Sequence, residues 1–355
     1  MNRGRPTTYD VARIAGVSQA TASMILSGKV NVSFAPETIE KVQSAAKALG
    51  YIGKERKTTL IEGASKIIAI ICPALSNPYY SSLNQAIENV ASAKGYVTIT
   101  CNTYRNREIE RQYLDMLANS TICGIVYTFT PHQQDRVRVL SSQIPIVIIT
   151  DKDEFMETDT VELNSVESGT IIADHLLALG HRKVAFVTSS LSKYNTPRIR
   201  RLQGVKERFS AAGAKLIISE SQQKIRTDYY DLNWETRIGY ESTKPLIKDK
   251  DITAFIGIND MLAYGIVNAL LDMKYRIPED YSVCGFDNIF PSAFNGISLT
   301  TIEHSLSEKG VDAFELLERK IAARADSLEI PPICRIEYRP KLIVRNSTGP
   351  VRPGR

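Results

Sequence analysis

The chain has 355 residues, a length that indicates two or three domains rather than one. Hydrophobic residues make up 43% and charged residues 23%, which excludes a disordered chain, a collagen and a small disulfide scaffold. The longest apolar runs, IIAIIC at 67–72 and IPIVII at 144–149, are far shorter than a membrane span, so we expect no membrane segment.

The N-terminal segment and the cysteines predict the compartment. The first ten residues, MNRGRPTTYD, contain no apolar stretch of the kind that a secretory signal has. The five cysteines stand singly, without the spacing of a metal site. We therefore expect a cytoplasmic protein with reduced cysteines, no metal and no cofactor.

The net charge of +5 is concentrated at the start of the chain. Residues 1–60 hold nine Lys or Arg and four Asp or Glu, whereas residues 61–355 hold 35 of each kind. A basic head on a neutral body is typical of a polyanion-binding module attached to a second domain. The alternative is a solvated basic tail without a binding role.

The basic head is patterned as three short helices. Thr7 and Asp10 have capping-box spacing at the start of the first helix, which Gly16 ends. Ser18 is a good N-cap for the second helix, and Pro36 suits the first turn of the third. This arrangement fits a helix-turn-helix DNA reader, although a plain three-helix bundle remains the alternative.

Two runs of the head carry a resemblance to a known family. They are TTYDVARIAGVSQATAS at 7–23 and VSFAPETIEKVQSAAKALGY at 32–51, and they strongly resemble the LacI/GalR family of bacterial transcription regulators. The resemblance implies a homodimer that places its second helix in the major groove of a pseudo-palindromic operator in double-stranded DNA. The implied DNA-binding residues are Thr8, Ser18, Gln19, Ala20, Thr21, Ser23, Met24, Tyr51 and Leu60.

Three of these residues are implied to face the base edges. Gln19 can form two hydrogen bonds with adenine, and Ala20 can contact a thymine methyl group. Met24 offers only an apolar contact, and its alternative role is packing against the other helices. Leu60 is implied to enter the minor groove as a wedge from a hinge helix.

The hinge at 51–64 departs from the family pattern. Gly53, Lys57 and Thr58 stand where the family has Pro, a small Ala and Arg. Two copies of Lys57 would repel where paired hinge helices approach each other. A hinge helix would need its lysines directed away. Lys54, Arg56 and Lys57 can still bind phosphates, and the alternative is a flexible basic linker.

After residue 65 the chain alternates strands and helices, which predicts an α/β protein. Apolar strands are expected at 67–72, 96–101, 123–128, 146–150, 183–188, 215–219, 254–258 and 282–286. Such alternation produces parallel sheets covered by helices. We expect two similar lobes, preceded by the small all-α helix-turn-helix domain.

The same pattern sets the predicted domain boundaries. They are a DNA-binding domain at 1–50, a hinge at 51–64, an effector-binding and dimerisation domain at 65–345, and a disordered tail at 346–355. Within the large domain, the N-lobe is predicted at about 65–160 plus 293–322 and the C-lobe at about 161–292 plus 323–345.

Ligands of open parallel sheets bind at the carboxyl ends of the strands. Aromatic, acidic, amide and basic side chains follow the predicted strands, and together they suit a sugar-like ligand with apolar faces and hydroxyls. Runs such as LGHRKVAF at 179–186 and IPEDYSVCGFDN at 277–288 continue the resemblance, which implies a periplasmic-binding-protein-like effector domain. Strand ends and resemblance together predict an effector site of Tyr79, Tyr80, Phe129, Asp151, Arg198, Arg201, Trp234, Asn259 and Asp287.

Two alternatives stay open within this site. Asn259 can equally be a helix cap. If two of Arg198, Arg200 and Arg201 face the site, a phosphorylated or carboxylated ligand follows; otherwise the extra arginines lie on a solvated helix face.

The sequence thus predicts a DNA-binding transcriptional repressor whose operator affinity is controlled by a sugar or sugar phosphate. An α/β enzyme is the alternative from another class. The chain contains no GxxxxGK[ST], GxGxxG or HExxH motif, and its four histidines lie far apart in the sequence. We therefore predict no catalytic residue.

Overall fold

The computed structural model describes residues 7–26, 34–49, 66–151, 157–191, 196–221, 231–326, 329 and 331–352. Contacts divide the chain into two units, residues 1–64 and residues 65–355. The helices of the first unit are α1 (Thr8–Ala15), α2 (Gln19–Leu26) and α3 (Pro36–Ala48). The predicted hinge at 51–64, with Tyr51 and Leu60, lies outside the described residues.

Capping and a small apolar core define the first unit. Thr7 and Asp10 form the predicted reciprocal capping box, and Gly16 ends α1 in the left-handed conformation, with φ of 68°. At the start of α2, the Ser18 hydroxyl accepts a 3.0 Å hydrogen bond from the Thr21 amide. The buried core consists of Val11, Ala12, Ala22, Val42, Ala45 and Ala46.

The second unit alternates strands and helices as the sequence predicts. Its strands are β1 (Ile67–Cys72), β2 (Val97–Asn102), β3 (Gly124–Tyr127), β4 (Ile146–Thr150), β5 (Asp159–Leu163), β6 (Lys183–Thr188), β7 (Lys215–Glu220), β8 (Ala254–Gly257), β9 (Ser282–Cys284), β10 (Thr301–Glu303), β11 (Arg335–Tyr338) and β12 (Lys341–Ile343). Its helices are α4 (Pro78–Ala93), α5 (Arg107–Ala118), α6 (Gln134–Ser141), α7 (Ser165–Ala178), α8 (Thr196–Ala211), α9 (Trp234–Leu246), α10 (Asp260–Asp272) and α11 (Leu306–Ala325). Among the described helices of the chain, none has both the length and the apolar character that a membrane crossing requires.

Two parallel sheets form the centres of two lobes. The N-lobe sheet has the strand order β11-β5-β4-β3-β1-β2, and the C-lobe sheet has the order β7-β6-β8-β9. Strands β10 and β12 form a separate antiparallel pair. The strand order reverses between β1 and β3 in the N-lobe sheet and between β6 and β8 in the C-lobe sheet. Such a reversal leaves a crevice at the carboxyl ends of the two strands, so each lobe has one.

Strand β5 was not predicted from the sequence, and neither were the short strands β10, β11 and β12. Strands such as β1 and β4 are buried continuous apolar runs, as expected for parallel strands covered on both faces. The sequence of β5, DTVEL, lacks such a run, yet all five residues are buried between β4 and β11. The Asp159 carboxylate is neutralised there by the Lys320 ammonium at 2.9 Å.

Strand pairing corrects the predicted lobe boundaries. The predicted change of lobe at about residue 160 falls inside β5, which pairs with β4 in the N-lobe. The segment 323–338, predicted in the C-lobe, contains the end of α11 and β11, which pack and pair in the N-lobe. Leu299 and Ile302, predicted in the N-lobe, lie in the C-lobe core. These crossing segments are short, and their sequence does not indicate which sheet they join.

The predicted disordered tail is also corrected, over residues 346–352. Ser347 is fully buried, and its carbonyl accepts a 2.8 Å hydrogen bond from the Val283 amide. The Ser347 hydroxyl donates to the Val283 carbonyl at 2.6 Å. The Val351 amide donates to the Leu179 carbonyl at 3.0 Å. Backbone pairing with the C-lobe, which a polar sequence does not reveal, therefore orders this segment.

Helices α7 and α8 touch through glycine. A Cβ atom added at Gly169 would lie 2.1 Å from the Arg201 carbonyl oxygen. A Cβ atom at Gly204 would lie 2.0 Å from the Val166 carbonyl oxygen. Both distances are far below van der Waals contact, so the two helices can lie this close only because both positions lack a side chain. The contact fixes the position of α8.

We expect Gly204→Ala to lower the free energy of unfolding by about 1–3 kcal/mol, because the added methyl group forces the two helices apart. The loss occurs although alanine is intrinsically the better helix former. Urea denaturation measures the change. Ser210→Ala, at an exposed position of the same helix, is the control and should have little effect. Equal stability of Gly204→Ala and the wild type would contradict the close helix contact.

Candidate functional site

A cavity of about 70 Å³ lies where the carboxyl ends of the two sheets face each other. Its walls come from segments that follow β1, β3 and β4 in the N-lobe and from segments that follow β8 and β9 in the C-lobe. Helices α7, α8 and α11 complete it. The structure brings together eight of the nine predicted effector residues at this cavity, namely Tyr79, Tyr80, Phe129, Asp151, Arg198, Arg201, Asn259 and Asp287.

A buried carboxylate, Glu235, connects the two lobes. One of its oxygens accepts hydrogen bonds from the Arg198 guanidinium at 2.7 Å and from the Asn259 amide at 2.8 Å. Its other oxygen accepts a 2.7 Å hydrogen bond from the amide of Asn77. Asn77 belongs to the N-lobe, whereas the other three residues belong to the C-lobe. The carboxylate is 5% exposed and therefore depends on these donors.

Arg201 lies at the centre of the C-lobe wall. Its Nη1 atom is 3.2 Å from the Asp287 Oδ1 atom and donates to the Ile258 carbonyl at 3.0 Å. Its Nη2 atom lies 3.3 Å from His304 Nε2, which must accept because a guanidinium only donates. Burial lowers the pKa of His304 well below its usual value, and the charges of Arg201 and Lys309 lower it further, so the imidazole is neutral.

Asp287 has a strained backbone. Its φ is 121° and that of Asn288 is 47°, both in the region that favours glycine. Burial raises the pKa of Asp287 to about 6, although the charge of Arg201 lowers it. Strain of this kind is typical of functional positions, and here it occurs at a carboxyl group that lines the cavity.

Aromatic side chains of the N-lobe form the opposite wall. The Tyr79 ring packs edge-on against the Tyr80 ring at 5.0 Å and against the His304 ring at 5.4 Å. The Arg105 guanidinium donates a 2.8 Å hydrogen bond to the Tyr80 hydroxyl. Phe129 follows β3 on the same side. The cavity therefore has an aromatic wall and a charged wall.

The structure also decides which arginines face the cavity. Arg198 and Arg201 line it, and both are buried. Arg200 is 30% exposed, and its Nε atom lies 3.6 Å from Asp151 Oδ2. The condition under which the sequence favours an acidic ligand, two arginines at the site, is met.

Trp234 is the exception among the predicted effector residues. It is the first residue of α9, is 6% exposed and belongs to the C-lobe core. The described residues that line the cavity do not include it. Core packing removes its large apolar ring from the cavity, and its neighbour Glu235 reaches the cavity residues instead.

Several cavity residues were missed by the sequence analysis. Arg105, His304 and Lys309 line the cavity but do not directly follow any of the strands predicted from apolar runs. His304 follows the short strand β10, whose sequence has no strong pattern. Lys309, in α11, has the sequence context of an ordinary solvated helix lysine. Only the position of α11 over the sheet reveals that Lys309 is buried.

In the first unit, α2 presents the side predicted to read DNA. Gln19, Ala20 and Ser23 are exposed, whereas Ala22 is fully buried on the opposite side. The remaining predicted DNA-binding residues of the described helices are exposed Ser18 and the half-buried Thr8, Thr21 and Met24.

Known proteins match the chain over nearly its whole length. Residues 7–53 match the model of the bacterial regulatory proteins of the lacI family, and residues 173–348 match that of the periplasmic binding protein-like domain. The HTH-type transcriptional repressor PurR of Histophilus somni is 32% identical over 346 residues, which cover 96% of this chain and 98% of that protein. The HTH-type transcriptional regulator DegA of Bacillus subtilis is 28% identical over 355 residues, covering 98% of this chain and 99% of DegA.

A solved structure agrees with these sequence matches. A LacI family transcriptional regulator from Enterococcus faecium, crystallised with bound ribose, has a TM-score of 0.69 and 26% identity, covering 81% of this chain and 100% of that chain. The named relatives are transcriptional regulators rather than enzymes. The chain therefore belongs to the LacI family of bacterial regulatory proteins.

Proposed function

We propose that this repressor binds a pseudo-palindromic operator as a homodimer, and that a sugar or sugar phosphate in the cavity between the lobes controls its operator affinity. The observation that carries the proposal is the convergence of eight predicted effector residues on one cavity. The ribose bound to the Enterococcus faecium regulator supports a sugar-like ligand.

The exposed side of α2 is the proposed surface for operator recognition. Gln19 and Ala20 are both exposed and stand at the start of the helix. The side-chain amide of Gln19 can donate to and accept from adenine, and the Ala20 methyl can contact thymine. The Ser18 hydroxyl already caps the Thr21 amide, which supports a role in positioning the helix rather than in reading bases.

The two cavity walls suit the two faces of a sugar. The rings of Tyr79, Tyr80 and Phe129 offer apolar contact to the C–H face of a pyranose or furanose. Asp287, Asn259 and Arg201 on the C-lobe wall offer paired donors and acceptors to its hydroxyls. In this proposal Asn259 also caps α10, where it accepts a 2.9 Å hydrogen bond from the Leu262 amide.

The size of the cavity couples ligand entry to lobe movement. Its volume of about 70 Å³ is well below the ~300–1,000 Å³ of usual ligand pockets, so a sugar enters only if the walls move apart. The bridge from Asn77 to Glu235 must lengthen or re-form during that movement. A ligand that favours one arrangement of the lobes then shifts the population of the whole protein, which is how it changes operator affinity.

Gln19→Ala should weaken binding to the specific operator by about 1–3 kcal/mol, because one bidentate base contact is lost. Binding to random DNA should change little, since phosphate contacts carry that affinity. Fluorescence anisotropy on labelled duplexes measures both constants.

The matched control for Gln19→Ala is Gln43→Ala, the same substitution at an exposed position of α3. It should leave operator binding unchanged. If Gln19→Ala discriminates between operator and random DNA as well as the wild type does, α2 is not the recognition helix.

Asp287→Asn should weaken binding of the sugar effector by roughly 10- to 100-fold. The substitution removes the charge-assisted hydrogen bonds from the sugar hydroxyls to the carboxylate. Operator affinity in the absence of effector should equal that of the wild type. The measurement is a thermal-shift screen of sugars, sugar phosphates and nucleobases, followed by titration of each ligand that raises the melting temperature. Asp272→Asn, at the exposed end of α10, is the control. An unchanged dose response in Asp287→Asn removes this carboxyl group from the site.

A further inference from the structure

A buried lysine lines the cavity. Lys309, in the first turn of α11, is only 2% exposed and lines the cavity. Across the described part of the chain, its ammonium makes no hydrogen bond and no ion pair. The ring of Tyr338 lies beside it, with its centroid 5.9 Å from the Nζ atom. A buried charge is costly unless a counter-charge or hydrogen bonds compensate it.

Two carboxylates beside the cavity are already engaged with arginines. Glu235 holds Arg198 at 2.7 Å, and the Asp287 carboxylate lies 3.2 Å from Arg201. The described cavity lining contains four basic side chains, Arg105, Arg198, Arg201 and Lys309, against two acidic ones, Asp151 and Asp287. The lining therefore has an excess of positive charge.

The lowered pKa of Lys309 agrees with the excess of positive charge in the cavity lining. Burial, and next the charge of Arg201, lower the pKa of Lys309 to about 7. The carboxylates of Asp151, Asp287 and Glu303 oppose that shift but do not cancel it. An anion placed in the cavity would supply the missing counter-charge.

Four helices direct their N-terminal ends at the same cavity. Tyr79 of α4, Ser165 of α7 and Pro197 of α8 lie in the first turns of their helices and line the cavity. Asn259, the N-cap of α10, lines it as well. The N-terminal end of a helix carries a partial positive charge and favours anions. Their convergence adds to the positive potential around Lys309.

We infer that the effector carries an anionic group, a carboxylate or a phosphate, and that the ammonium of Lys309 binds it. The inference rests on the proposed function, which allows a neutral sugar or a sugar phosphate, and narrows it to acidic ligands, namely sugar acids and sugar phosphates. Lys309 comes from the N-lobe helix α11, whereas the hydroxyl-binding residues Asp287 and Asn259 come from the C-lobe. An acidic sugar thus contacts both lobes through different groups.

The test compares matched neutral and acidic ligands on the full-length protein. The probes are glucose, gluconate, glucuronate and glucose 6-phosphate, with ribose and ribose 5-phosphate as a second set. Isothermal titration gives the affinities for the wild type, for Lys309→Met and for Arg319→Met. Arg319→Met removes one positive charge from an exposed position of the same helix.

We expect the wild type and Arg319→Met to bind at least one acidic probe more tightly than its neutral counterpart. Lys309→Met should bind that probe roughly 10- to 100-fold more weakly and should lose the preference for the acidic form. A preference for gluconate or glucuronate identifies a carboxylate, and a preference for a phosphate ester identifies a phosphate. If Lys309→Met does not fold, as judged by circular dichroism, Lys309→Gln replaces it.

Three results overturn the inference. If the wild type binds only neutral sugars, or if the variant binds the acidic probe as tightly as the wild type, Lys309 has a structural role and the proposed function stands. If no sugar of either kind binds, both the inference and the proposed function fail.

Discussion

The bridge from Asn77 to Glu235 is the interaction on which the rest of the effector domain depends. It joins the first loop of the N-lobe to the first turn of α9 in the C-lobe through a 2.7 Å hydrogen bond. The same carboxylate holds Arg198 and Asn259, so one buried group contacts both lobes and holds two cavity residues. In the proposed function, a ligand that enters the cavity reorganises this group, and this links ligand binding to lobe movement.

The parallel sheets explain why the site lies there. Each sheet has a crevice at the carboxyl ends of its strands, beside β1 and β3 in one lobe and beside β6 and β8 in the other. Side chains that follow these strands meet across the gap, and the helices that begin there add their N-terminal ends. The strain at Asp287 and the buried ammonium of Lys309 both occur in this small volume. Both lobes thus contribute charged side chains to the cavity.

The sequence predicts the parts of this structure whose signal is local. The capping box at Thr7 and the apolar strand β1 are read from neighbouring residues, and both are confirmed. The same holds for the family, which two motif runs in the head reveal. Strand β5 and the ordered segment around Ser347 escape prediction because pairing with distant strands, not composition, buries them. Lys309 escapes for the same reason, since only the packing of α11 distinguishes it from a surface lysine.

The central claim is that a ligand in the cavity controls DNA binding. The most direct measurement is the operator affinity of the full-length protein, on an operator selected from random DNA, with and without a sugar that raises its melting temperature. The account predicts that a saturating ligand changes this affinity by roughly 5- to 150-fold, in either direction, and that Asp287→Asn abolishes the change. A ligand that binds in the cavity but leaves operator affinity unchanged would contradict it.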